Sequence, residues 1–158
     1  MLVATCNVKV TSILMMKLTQ SQTWLSIVLM ANLISTGIHY WDNYIYFDRY
    51  PVPAWITVDV VWISWLLFTI AGALGYWLYC QQRWYLAYSC LLVYAVAGAS
   101  TPLHYLYAPM SHFMMEMNIS IISDGLVSLS LITFLVWSLV IGREWQPQEL
   151  EWFGVIGY

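Results

Sequence analysis

"AWITVDVVWISWLLFTIAGALGYWLY", residues 54–79, contains one charged side chain, Asp59, in a run long enough to cross a bilayer. A hydrocarbon core about 30 Å thick needs roughly 20 apolar residues in a helix. Three more stretches meet the same requirement: Thr23–Tyr40, Trp84–Tyr107 and Ile119–Ile141. The connections between them are short. The sequence therefore predicts an all-α integral membrane protein, a four-helix transmembrane bundle spanning 23–142 in one domain.

Composition agrees with this. The 158-residue chain is 61% hydrophobic and 8% charged, too few charges to coat a water-soluble domain. A net charge of −3 provides no basic surface for nucleic acid, so that class is dropped. The opening "MLVATCNVKVTSILMMKL" lacks a continuous apolar core and a small-residue cleavage site. Residues 1–22 read as an interfacial tail, with Met15 and Met16 as alternative starts, and residues 143–158 as a C-terminal tail. Cys6, Cys80 and Cys90 have no CxxC spacing and read as small apolar residues. Walker A, GxSxG and HExxH motifs are absent from the sequence.

Cationic residues set orientation. Lys9, Lys17, Arg83 and Arg143 fall on one side of the four spans and Arg49 alone on the other. Both termini are then expected in the cytoplasm, with loops 41–53 and 108–118 outside. All three histidines, His39, His104 and His112, gather at that outer side, with Asp42, Asp48, Asp59, Glu116 and Asp124. Glu144, Glu149 and Glu151 are assigned to the cytoplasmic tail.

Helical spacing predicts which polar residues meet. Asn32, Ser35, Thr36, His39 and Asn43 recur every three or four positions, one stripe along the first span. In lipid such a stripe faces other helices or water. Trp55, Asp59 and Trp62 share a face of the second span, and Tyr94, Thr101 and His104 a side of the third. Pro102 frees the carbonyl of Gly98 and bends the chain near His104. The fourth span brings Ser120, Ser123 and Asp124, with His112 and Glu116 one turn apart if its helix begins early. Asp59 and Asp124 are expected about 8 Å below the rim. Together these form an outward-facing polar pocket.

Three chemistries suit that pocket. In "APMSHFMMEMN", residues 108–118, Met110, Met114, Met115 and Met117 surround His112. Thioether and imidazole ligands favour copper, with His39, His104 and Glu116 as further ligands. Alternatively Trp55, Trp62, Asp59 and His39 could orient an apolar molecule such as a sterol, quinone or terpenoid, for binding or isomerisation. Small residues at Ala71 and Gly75, and at Ala95 and Ala99, would suit an accessory subunit of a larger complex or a homo-oligomer. "HYWDNYIYFDRYPVPAW", residues 39–55, reads mainly as an interfacial aromatic belt, with Asp48 and Arg49 as a local ion pair. The "NIS" at Asn118 reads as a helix cap.

Overall fold

The protein is described by a computed structural model covering residues 2–146, with side chains from Gln20 onward. The tail from residue 147, and the side chains of Cys6, Lys9 and Lys17, lie outside the described residues. Four helices form an up-and-down bundle: α1 Leu2–Ile45, α2 Val58–Cys80, α3 Trp84–Ala99 and α4 Met115–Val136. Among the described residues there is no strand. Of segment 1–22, expected as a tail, residues 2–22 are continuous with α1 in their backbone.

The spans Val58–Cys80, Trp84–Leu106 and Met115–Gly142 are long and apolar enough to cross a membrane. The stripe of α1 lowers its hydropathy, yet its faces carry the same message. Trp24, Ile27, Met30, Ile34, Ile38 and Trp41 are exposed at helical spacing, while Asn32, Thr36, His39 and Asn43 are buried. A helix in water does the reverse. This inside-out helix fits a bundle surrounded by lipid, where packing and internal hydrogen bonds hold helices together.

Glycines set the helix spacing. A Cβ at Gly72 would lie 2.8 Å from the Tyr94 ring, and one at Gly75 would lie 2.8 Å from Leu91. The small residues of the second span therefore serve close packing of α2 on α3 within the chain, and Ala95 is wholly buried. The α2–α3 turn is tight: Gln82 takes φ 58°, and Arg83 N–H donates to Leu78 O at 2.9 Å. That left-handed closure is usually a glycine's place.

Pro102 acts as its position predicts. Helix α3 ends at Ala99 and a 3₁₀ turn, Thr101–Leu106, carries His104. The Thr101 hydroxyl lies 2.9 Å from Gly98 O and 3.0 Å from Ile121 O, tying the broken helix to α4. Helix α2 starts later than expected, at Val58, because Pro51 and Pro53 precede it and Thr57 caps it by accepting from Val60 N–H.

Two ends and a middle result. A polar column runs from the histidine end down α1 to Asn32 and Ser128. Below it Leu25, Leu91, Leu131 and Leu135 form an apolar core, and below that a second polar group surrounds Glu144.

Candidate functional site

The rim of the column is built by the reversal after α1. A 3₁₀ turn, Phe47–Arg49, and extended backbone at Tyr50 fold that tyrosine back under the loop, where it is 4% exposed. Its hydroxyl donates to Asp42 Oδ2 at 3.1 Å, and Ser120 of α4 donates to the same oxygen at 2.8 Å. Burial, and then the neighbouring Asp42 carboxylate, raise the Tyr50 pKa above the ordinary tyrosine value. The Tyr50 ring lies 5.0 Å from His104 and 5.8 Å from Phe113, and the His39 and His104 rings are 5.5 Å apart.

His39 has a defined tautomer. Asn43 Nδ2 is 2.9 Å from both His39 O and His39 Nε2. An amide nitrogen is only a donor, so Nε2 accepts and the proton of a neutral ring sits on Nδ1. That Nδ1 is buried and has no partner.

Deeper in the column, Thr36 donates to Asn32 O at 2.8 Å and its Oγ1 is 3.1 Å from the Tyr94 hydroxyl. Both polar atoms of the Asn32 side chain are engaged: Nδ2 donates to Val28 O at 2.8 Å and Val127 O at 3.2 Å, and Oδ1 accepts from Ser128 at 2.9 Å. Between the rim and Asn32 lies Asp124, fully buried, with neither carboxyl oxygen hydrogen-bonded. Ser35 Oγ, buried on α1, is also unpartnered. Leaving such a group unsatisfied costs about 1–3 kcal/mol, more if charged. The orphaned groups are concentrated where the sequence places a pocket.

A separate cleft of about 210 Å³ opens between α1 and α2, lined by Leu29, Met30, Leu33, Gly72, Ala73 and Tyr94 among others. Thr69 lines it too, and Trp65 lies one turn earlier on the same face of α2; Thr69 Oγ1 and Trp65 Nε1 are both buried without a partner. Tyr94 belongs to cleft and column alike.

Of the expected pocket residues, Asn32, Ser35, His39, Asp42, Asn43, His104 and Asp124 come together in this column. Trp55, Asp59 and Trp62 do not. Trp55 is 72% exposed, and Asp59 is exposed in the first turn of α2, because that helix begins only at Val58. Trp62 packs on Trp41, Tyr44 and Trp65 in an aromatic cluster.

The methionine segment spreads out. Helix α4 starts at Met115, so His112 sits in the preceding 3₁₀ turn, off the helical face of Glu116. His112, Met110, Met115 and Glu116 are exposed, and Met117 is buried against Tyr50, Phe113 and Ile121. Met114 Sδ accepts from Arg49 at 3.0 Å; Arg49, over the Tyr46 ring, turns to these neighbours rather than to Asp48. Among the described residues no three His, Cys, Asp or Glu side chains form a metal-holding group. Asn118 is a buckle rather than a cap: Nδ2 donates to Met110 O and Phe113 O, and Oδ1 accepts from Tyr105 at 2.9 Å.

Sequence reasoning missed Glu144. A π turn, Trp137–Gly142, and left-handed backbone at Arg143 reverse the chain. Glu144 then accepts from Ser21 of α1, Tyr79 of α2 and Ser138 beyond α4, while Tyr88 of α3 pairs with Ser138 at 2.8 Å. It is a knot joining all four helices, not part of a loose tail. Tyr50, Trp65 and Thr69 were missed as well. The spacing of Ser120, Asp124 and Ser128 could have signalled the last of that series.

Searches against protein-family models, curated proteins and solved structures find no match to this chain.

Proposed function

We propose that the protein binds an apolar small molecule carrying an acceptor oxygen, of the quinone, sterol or terpenoid class, in the cleft between α1 and α2. One observation carries the reading. Thr69, which lines an apolar cleft, has a buried and unpartnered Oγ1, and Trp65 Nε1, a turn earlier on α2, is buried and unpartnered too. A carbonyl or ether oxygen would satisfy them, and the apolar walls would hold a ring or a length of isoprenoid chain. The Tyr94–Thr36 contact would connect the bound molecule to the polar column.

A transition-metal reading, copper by ligand softness, keeps one supporting observation: the His39 and His104 rings lie 5.5 Å apart. Two imidazoles make a thinner case than the cleft, so this reading stands second.

One preparation tests both. Protein purified in mild detergent is extracted for organic compounds by mass spectrometry and assayed for metals. The cleft reading expects one compound near stoichiometric amount, lost from Ala73→Phe, which fills the cleft, and retained in Leu66→Phe on the lipid face. Bulk membrane lipid alone in all three proteins sinks it. Stoichiometric copper, lost on His39→Ala or His104→Ala, selects the metal instead.

The distribution of Lys and Arg supports an orientation with the histidine end outward. A cysteine placed at Ser111 should then react with an impermeant label from outside intact cells, and one at Gln82 should not; the opposite pattern inverts the assignment.

A further inference from the structure

We propose that Asp124 is the anchor of a binding site for a monovalent inorganic cation, inside the polar column and separate from the α1–α2 cleft.

The reasoning starts from the carboxyl itself. Asp124 is fully buried, and both of its oxygens lack a partner. Ionised, it is a buried charge with no donor to stabilise it. Protonated, it gains one donor, and its remaining oxygen still has no donor to accept from. The bundle supplies no Lys or Arg at this depth; the described cations, Arg49, Arg83 and Arg143, sit in the loops at its ends. A bound cation meets the demand that the chain leaves open.

The surroundings choose the kind of cation. Asp124 Oδ1 and Ser128 Oγ both face Gly98 of α3, where an added Cβ would lie 3.4 Å from the first and 2.0 Å from the second. The missing side chain at Gly98 is what lets the Ser128 hydroxyl and the Asp124 carboxyl approach the α3 backbone together. Nearby oxygens come from Ser128, Asn32 and the Thr36–Tyr94 pair. These are hard, neutral ligands around a single negative charge. Such a set suits an alkali cation; a divalent ion would leave a net charge in a low-dielectric interior, and copper(I) would find no sulfur or nitrogen there. A second observation extends the unpartnered set towards the rim. Ser35 Oγ and His39 Nδ1, one turn apart on α1 between the rim and the column's interior, are also buried and unpartnered. Unfilled hydrogen-bonding capacity therefore continues from the histidine end towards Asp124.

The test is thermal unfolding of the full chain in detergent, in sodium, potassium or choline chloride at equal ionic strength. Sodium should raise the wild-type midpoint by several degrees in a saturable way relative to choline. Asp124→Asn should abolish the shift, and Ser128→Ala should move its half-saturation to at least tenfold higher sodium. Equal midpoints in the three salts, or a sodium shift retained in Asp124→Asn, overturn the proposal. So does a wild-type midpoint that follows pH and ignores sodium, which would assign the carboxyl to a proton.

Discussion

Asp124 and Glu144 are the two carboxylates drawn into the bundle from α4 and its extension, and they are treated in opposite ways. Glu144, at one end, collects hydroxyl donors from three segments and a fourth helix through Ser138. Asp124, in the other half, is more deeply buried and collects none. A satisfied carboxylate holds structure together. An unsatisfied one costs stability, and its place in the column needs another explanation. The contrast separates the end that fastens the helices from the end that leaves a buried carboxyl unpartnered.

The difference should appear as opposite signs in stability. Glu144→Ala leaves Tyr79, Ser21 and Ser138 without their acceptor, and should destabilise the bundle by about 3 kcal/mol. Unfolding in detergent measures this, and a loss under about 1 kcal/mol would mean that water at that end replaces the carboxylate. Gly98→Ala should cost about 2 kcal/mol by overpacking, since its methyl overlaps Ser128. Wild-type stability in that variant would show that α3 and α4 part easily. Asp124→Asn is the smallest effect and the reversed one. In sodium-free buffer it should stabilise by about 1 kcal/mol, because an amide costs less to bury unpaired than a carboxyl that can ionise, and no hydrogen bond is lost. Destabilisation comparable to that of Glu144→Ala would abolish the contrast.

How much of this could be read from sequence follows from where the information lies. The stripe Asn32–Thr36–His39–Asn43 was legible because helical spacing puts these residues on one face, and in lipid that face turns inward. Pro102 and its freed Gly98 carbonyl were legible for the same local reason. Asp59 was misplaced because the Pro51–Pro53 segment and the Thr57 cap delay the start of α2, which composition does not reveal. The methionines of 110–117 share a composition but not a direction; their facing depends on where α4 begins. Glu144 was illegible. Its approach depends on a π turn and a left-handed Arg143, a non-glycine in backbone that no local pattern announces. Tyr50 depends likewise on a loop folding over three helix ends.

The apolar core of Leu25, Leu91, Leu131 and Leu135 has an electrical consequence. It separates the polar column from the Glu144 knot, so the column ends blind. In a polarised bilayer the voltage drops mainly across the stretch where dielectric constant is lowest, at about 2.3 kcal/mol per elementary charge per 100 mV for the whole thickness. A hydrated column would leave most of the field to those leucines and only a small fraction to Asp124, on the column's side of them. With the proposed cation at Asp124, charge would enter and leave by one mouth without current flowing across the membrane. The protein would fill and empty like a capacitor plate that leaks to one side only.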